Sequence, residues 1–142
     1  MNGFHPAPGA KRPMRIFVVE NHEDTRFLLC VLLEQLGHTV LSAPSLAAAL
    51  EAIPAARCDV LISDIGLPDG NGWDLMTRLG DDRPPYAIAM SGFGMSSDRQ
   101  RSLNVGYRHH LLKPVEPNQL ERLLDEAADA TGPLAGRQRR GA

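Results

Sequence analysis

The sequence has 142 residues, of which 43% are hydrophobic and 23% charged, with a formal net charge of −2. These values are typical of one globular domain, and no apolar run is long enough to cross a bilayer. All 17 acidic residues lie between Glu20 and Asp129 and six of the 15 basic residues lie outside that segment, which argues against nucleic acid as a partner because phosphate contacts need clustered Lys and Arg.

Five short segments are predicted to form strands. The apolar runs at residues 16–19, 60–63 and 87–90 are continuous, as expected of strands that are buried on both faces. Residues 39–43 and 111–112 are the two weaker candidates.

Apolar residues at helical spacing fill the gaps between these strands. The first pattern stops at Gly37, a favourable C-cap, and the second follows Ser45, a good N-cap, and is predicted to end at Pro54. A shorter helix covers residues 73–79, and the clearest apolar stripe opens near Pro117.

Residues 97–104 form the weakest predicted helix. Leu103 is its only large apolar residue, and Arg99 and Arg101 interrupt the pattern. Because a helix that buries little can shift at low cost, we expect this segment to be able to move.

Five strands alternating with five helices predict a single α/β domain. Its sheet should be parallel and doubly wound, with right-handed crossovers and helices on both faces. We place this domain at residues 14–130, between flexible segments at 1–13 and 131–142. Met1 and the two Pro- and Gly-containing ends suggest a complete chain.

Polar side chains follow four of the predicted strands. They are Glu20, Asp64, Ser91 and Lys113. In parallel sheets, ligands bind beyond the carboxyl ends of the strands. Clustered carboxylates attract a hard cation such as Mg²⁺, and a carboxylate can attack phosphorus to form an acyl phosphate. A lysine and a serine can then contact phosphoryl oxygens. The pattern predicts a phosphoryl-acceptor site.

Four segments carry a family resemblance. They are FVVEN at 17–21, SDIGLPDGNG at 63–72, SG at 91–92 and KPV at 113–115. Together they resemble the response-regulator receiver domain of two-component signalling, and the second segment is similar in particular to receivers of hybrid histidine kinases and stand-alone receivers. The resemblance covers about residues 14–130 and implies a flavodoxin-like (βα)5 fold.

The resemblance implies a role for each matching residue. Asp64 would accept the phosphoryl group. Mg²⁺ would be held by Glu20, Asn21, Asp64 and the backbone carbonyl of Gly66. The residues that contact the phosphoryl group or switch with it would be Ser91, Gly92, Lys113, Pro114 and His110, with a cis bond before Pro114.

His110 stands where the family often has a switch aromatic residue. Its ring could take the place of the aromatic side chain in the switch. The equally favoured alternative is that His110 is simply an exposed histidine beside His109. A shared metal role for the pair is disfavoured because adjacent strand residues point to opposite faces.

Asn21 departs from the family pattern, which has an acid there. An amide oxygen can coordinate a cation but brings no charge, so we expect Mg²⁺ to bind weakly. Glu23 and Asp24 are expected to begin the first helix, where acids suit the helix dipole. The alternative is a degenerate receiver that binds protein partners without phosphate. A phosphohydrolase is disfavoured, because Gly66 stands where a second acid would be needed.

The resemblance also implies partners. They would be a histidine kinase or histidine phosphotransfer protein as phosphodonor and a downstream protein, with no nucleic acid and no membrane. The chain would be a switch and not an enzyme, a monomer or weak homodimer, and cytoplasmic. Cys30 and Cys58 lack disulfide or metal-site spacing and are expected to be free thiols.

Overall fold

The computed structural model describes residues 12–92 and 96–132. The predicted flexible segments at 1–13 and 131–142 therefore lie mostly outside the described residues. Arg12 belongs to the first of these segments and Thr131 to the second, and both residues are described. The Arg12 guanidinium donates to the carbonyl oxygen and to the hydroxyl oxygen of Thr131, each at 2.6 Å. This contact ties the two ends of the domain together.

The predicted alternation of five strands with five helices is confirmed. The strands of the main sheet are β1 (Arg15–Val19), β2 (Thr39–Ala43), β3 (Val60–Asp64), β6 (Tyr86–Ser91) and β7 (His109–Leu112). A two-stranded antiparallel ribbon, which was not predicted, consists of β4 (Gly66–Leu67) and β5 (Gly70–Asn71). The helices are α1 (Glu23–Gln35), α2 (Leu46–Ala56), α3 (Gly72–Leu79), α4 (Ser96–Asn104) and α5 (Pro117–Ala130), with a 3-10 turn at Gly80–Asp82.

The main sheet is parallel throughout and has the strand order β2-β1-β3-β6-β7. Helices cover both of its faces, so neighbouring residues of a strand enter different cores. Phe17 and Val19 pack with α2 and α3, whereas Ile16 and Val18 pack with α1 and α5. This arrangement explains the continuous apolar runs of β1, β3 and β6.

The predicted end of α2 at Pro54 is wrong. The helix continues to Ala56 and ends at Arg57, which has a left-handed backbone with φ of 53°. Proline removes one hydrogen bond to the residue four positions earlier. That loss is tolerable one turn from the helix end, because Ile53 and Ala56 are both buried in the core.

The helix predicted to be weakest is also the least anchored in the structure. Ser102 is the buried residue of α4, and Leu103 is 49% exposed. The only large apolar side chain of the helix is therefore only half buried. Within the described residues, no helix is both long and apolar enough to span a membrane.

The carboxyl ends of four strands meet at one edge of the sheet. The loop that follows β3 is held close to this edge by Gly72, where an added Cβ would lie 2.7 Å from the carbonyl oxygen of Asp64. The hydroxyl of Tyr107 donates to the Gly72 carbonyl at 2.7 Å. A side chain at position 72 would therefore force the loop away from Asp64.

Candidate phosphoryl-acceptor site

Two carboxylates share one ammonium group at the edge of the sheet. Asp64 is the last residue of β3, Glu20 directly follows β1, and Lys113 directly follows β7. The Nζ atom of Lys113 lies 2.6 Å from Asp64 Oδ2 and 2.6 Å from Glu20 Oε1. The structure thus brings together three residues that are distant in the sequence, as the strand-end pattern predicted.

The charges of Glu20 and Lys113 stabilise each other. Burial raises the pKa of Glu20, but the Lys113 ammonium and the backbone N–H of His22, which donates to Glu20 Oε2 at 2.9 Å, outweigh it and hold the pKa below its usual value. Burial lowers the pKa of Lys113, but the carboxylates of Asp64 and Glu20 outweigh it and raise the pKa. Glu20 is therefore ionised and Lys113 protonated at neutral pH.

The donor set of the site fits a hard divalent cation. Glu20 Oε1 is buried and accepts no hydrogen bond of good geometry, although the Lys113 ammonium is adjacent. A buried carboxylate oxygen without a well-formed hydrogen bond suits a metal with oxygen ligands. Among the described residues, no three His, Cys, Asp or Glu side chains form a metal-binding group. Glu20 and Asp64 are the two carboxylates of the set, and Asn21 can add only a neutral amide oxygen.

The other residues predicted to contact the metal or the phosphoryl group follow the same strand ends. Asn21 is exposed and adjoins Glu20. Gly66 begins β4, and its N–H donates to Asp64 Oδ1 at 3.2 Å. Gly92 is exposed, with open space where a Cβ would stand. Pro114 is preceded by a cis peptide bond, as the resemblance implies.

Ser91 and His110 form a buried pair behind the acceptor. Ser91 Oγ lies 2.7 Å from His110 Nε2, and the backbone N–H of Lys113 donates to the Ser91 carbonyl at 2.8 Å. The alternative of an exposed His110 is wrong, because the residue is only 7% exposed. Burial lowers the pKa of His110, and Arg99 adds to this effect.

His109 points away from His110, as the strand geometry predicted. Its Nε2 atom lies 3.0 Å from Glu126 Oε2 on α5. The other imidazole faces Ser91 and α4. The two histidines therefore belong to different faces of the sheet.

Several functional contacts escaped the sequence analysis. Arg26 Nη1 donates to the Glu20 carbonyl at 2.8 Å and fixes the turn after β1. Ser102 Oγ lies 2.8 Å from His110 Nδ1 and accepts from Trp73 Nε1 at 2.9 Å. Trp73 is partly buried and packs against the core. No sequence signal marks Ser102, because a serine in a polar helix is ordinarily solvated.

An apolar groove adjoins the site between α1 and the start of α5. It has a volume of about 510 Å³, and its lining includes Leu28, Leu29, Met90, Lys113 and Pro114. Leu28 is 66% exposed, and its neighbour on α1, Phe27, is 65% exposed. An exposed apolar patch beside a groove is a candidate interaction surface.

The sequence belongs with a known group of proteins. The family model described as the response regulator receiver domain matches residues 16–125. The "Uncharacterized 14.6 kDa protein in sodA1 3'region" of Leptolyngbya boryana is 35% identical over 127 residues, which are 86% of this chain and 95% of that protein. The virulence sensor protein BvgS of Bordetella bronchiseptica is 32% identical over 123 residues, 81% of this chain but only 10% of the sensor.

Solved structures show the same fold. A CheY-like receiver domain protein from Methanospirillum hungatei JF-1 superposes with a TM-score of 0.78 and 26% identity, covering 84% of this chain and 97% of that one. The receiver domain of sensor histidine kinase PA1611 from Pseudomonas aeruginosa PAO1, which has a magnesium ion coordinated in its active site cleft, superposes with a TM-score of 0.74 and 22% identity. The alignment covers 83% of this chain and 99% of that domain.

Proposed function

The chain belongs to the response regulator receiver domain family, and from that premise we propose that Asp64 accepts a phosphoryl group from a phosphohistidine. The observation that carries the proposal is the contact of the Lys113 ammonium with both Asp64 and Glu20, at 2.6 Å each. Such a cluster at the carboxyl edge of a parallel sheet supplies a nucleophile and a fixed positive charge for phosphoryl transfer.

The chemistry follows from the positions of the side chains. A carboxylate oxygen of Asp64 attacks phosphorus in line, and the O–P bond forms as the donor's P–N bond breaks. The Lys113 ammonium then pairs with a phosphoryl oxygen, and the hydroxyl of Ser91 donates to another. Mg²⁺, held by Glu20, Asp64, Asn21 and the Gly66 carbonyl, would offset the charge of the phosphoryl oxygens.

The phosphoryl state is then proposed to change protein contacts. The chain acts as a switch in the cytoplasm and not as an enzyme for an external substrate, and its output is a protein and not nucleic acid. The output surface consists of α4, β7 and α5, where α4 is weakly anchored. A partner can read the state only through different affinities for the two forms.

The proposal is tested by intact mass after incubation with acetyl phosphate and Mg²⁺. One phosphoryl group should be added, and it should be absent in Asp64→Asn. Asp74→Asn, at an exposed position on α3, is the matched control and should accept phosphate normally. No adduct at any Mg²⁺ concentration would contradict the proposal and favour a phosphate-independent protein-binding module.

The groove beside the site is proposed to bind the phosphodonor protein, because it adjoins the site of Asp64, which the phosphohistidine of the donor must reach. Lys113 belongs both to the groove lining and to the cluster that holds Asp64. Leu28→Asn should slow transfer from a purified phosphorylated histidine phosphotransfer domain severalfold. The rate with acetyl phosphate should not change, because this small donor needs no docking.

Leu103→Asn is the control for this test, since Leu103 is also exposed but lies on α4, outside the groove. It should leave both rates unchanged. Equal rates for Leu28→Asn and the unmodified protein with the phosphotransfer domain would show that the donor docks elsewhere.

A further inference from the structure

Four side chains form a continuous hydrogen-bonded chain from the site to α3. Ser91 on β6 contacts His110 on β7 at 2.7 Å, and His110 contacts Ser102 on α4 at 2.8 Å. Ser102 in turn accepts from the indole of Trp73 on α3 at 2.9 Å. Two strands and two helices are thus connected by side chains alone.

The direction of these bonds follows from counting donors and acceptors. An indole N–H only donates, so Trp73 occupies a lone pair of Ser102 Oγ. Ser102 is fully buried, and His110 Nδ1 is the acceptor that the structure offers to its hydroxyl hydrogen. On this count the proton of His110 is assigned to Nε2, which donates to Ser91 Oγ. Each donor along the chain points toward the acceptor site.

These hydrogen bonds also attach α4 to the rest of the domain through a buried polar side chain. Ser102 is the buried residue of this helix, and its hydroxyl is bonded on one side to β7 and on the other to α3. The guanidinium of Arg101, which is not part of this hydrogen-bonded series, stacks over the Trp73 ring, 4.1 Å from its centre. A displacement of Ser102 would therefore alter the environment of Trp73 at the edge between α3 and α4.

We propose that Ser102 is a positioning residue that couples the phosphoryl state of Asp64 to Trp73 through His110 and Ser91. The proposal rests on the proposed function, because it needs a phosphoryl group that Ser91 contacts. When Ser91 donates to a phosphoryl oxygen, its Oγ becomes a stronger acceptor for His110. The imidazole and the Ser102 hydroxyl follow, since the buried bond between His110 Nδ1 and Ser102 Oγ would otherwise be lost. The state of the site is thereby reported at the edge formed by α3 and α4.

Trp73 makes the proposal directly measurable, because it is the only tryptophan of the chain. Its indole N–H gives one resonance in a ¹H–¹⁵N spectrum, and the position of that resonance reports the bond to Ser102. Phosphorylation with acetyl phosphate and Mg²⁺ should move this resonance in the unmodified protein. His110→Phe keeps a ring but breaks the hydrogen-bonded chain. In samples of this variant that intact mass shows to be phosphorylated, the resonance should stay in place.

Two further variants separate coupling from general structure. Ser102→Ala should shift the indole resonance before phosphorylation and abolish its response. Thr77→Val removes an exposed hydroxyl that donates to the Trp73 carbonyl at 3.2 Å. Because this hydroxyl is not part of the hydrogen-bonded series, phosphorylation should move the indole resonance of the variant as it does in the unmodified protein. Circular dichroism checks that each variant is folded. If Ser102→Ala does not fold, His110→Phe alone provides the test.

Intact mass on every sample distinguishes the two possible failures. If the unmodified protein accepts no phosphate, the proposed function fails and the coupling fails with it. If phosphate is added but the indole resonance does not move, or moves equally in His110→Phe, the coupling alone is overturned.

Discussion

Asn21 is the residue at which this site differs most from the pattern of its family. The two carboxylates of the cluster, Glu20 and Asp64, share the Lys113 ammonium, which offsets one of their two negative charges. A cation that enters this site must therefore compete with a lysine while gaining only a neutral amide from Asn21. The residue types alone predict weaker Mg²⁺ binding than an acid at position 21 would give. The geometry adds that the metal and the Lys113 ammonium would compete for the same carboxylates.

Asn21→Asp should strengthen Mg²⁺ binding. A unit charge about 4 Å from a divalent cation contributes roughly 2 kcal/mol even in bulk water. The Mg²⁺ concentration that gives half-maximal phosphorylation should therefore fall by about tenfold or more, as measured by titrating Mg²⁺ at constant acetyl phosphate. Asn104→Asp, an exposed change at the end of α4, should leave the titration unchanged. An unaltered midpoint in Asn21→Asp would show that position 21 does not face the cation.

His38 is a second residue whose environment has a measurable consequence. It is buried, and its Nδ1 accepts the backbone N–H of Met14 at 3.1 Å. Burial lowers its pKa from the ordinary 6.5, the positive charge of Arg12 adds to the effect, and Asp125 opposes it. The folded protein therefore resists a proton that the unfolded chain accepts.

The free energy of unfolding should consequently decrease as the pH falls through 6.5 toward the lower folded value, and should not change from this cause above 6.5. His38→Asn keeps an acceptor for Met14 but does not titrate, so its stability should decline less over the same range. Urea unfolding at several pH values measures both slopes. Identical slopes would mean that His38 is not a source of the acid sensitivity.

At the scale of elements, α4 and α5 show how differently two helices can be attached to one sheet. The buried residues of α5 are Leu120, Leu124, Ala127 and Ala128. In α4 the buried residue is the polar Ser102. An apolar stripe holds one helix in place, and a hydrogen-bonded chain holds the other, which suits α4 to movement.

Leu124→Ala and Leu103→Ala test this difference with the same substitution. Leu124 is 2% exposed, so its truncation should lower the free energy of unfolding by about 2–5 kcal/mol. Leu103 on α4 is 49% exposed, so its truncation should lower the free energy by less, about 1 kcal/mol or below. Denaturant titrations of both variants measure the effects. A large loss in Leu103→Ala would show that α4 is anchored by this leucine.

At the scale of the whole molecule, two hydrophobic cores share one sheet. Leu33 of α1 lies in one core and Leu75 of α3 in the other. The strands between them contribute alternate residues to each side, so neither core can form without the sheet. The domain should therefore unfold as one cooperative unit.

Leu33→Ala and Leu75→Ala should each shift the same unfolding transition. Each should lower the free energy of unfolding by about 2–5 kcal/mol. Trp73 fluorescence, which reports the α3 side, and far-ultraviolet circular dichroism, which reports all helices, should give coincident curves. Separate transitions for the two probes in either variant would show that the faces unfold independently.

Much of this arrangement could be predicted from the sequence. Continuous apolar runs predicted strands buried on both faces, and Pro117 marked the start of α5. Gly37 was predicted as the C-cap of α1, but the C-cap is Leu36, and Gly37, with φ of 100°, directly follows it. Pro54 misled the prediction, because the cost of a proline depends on its distance from the helix end and on the burial of its neighbours. The ribbon β4–β5 was missed because strands of two residues leave no periodicity.

The sequence by itself determined the fold class and the set of strand-end residues, because both depend on local patterns: apolar periodicity and the residue that follows each strand. Only the tertiary structure decided that Lys113 bridges Glu20 and Asp64, and that His110 is buried between Ser91 and Ser102. Such contacts join residues on separate strands and helices. Their distances are set by the packing of helices on the sheet, which no local pattern encodes.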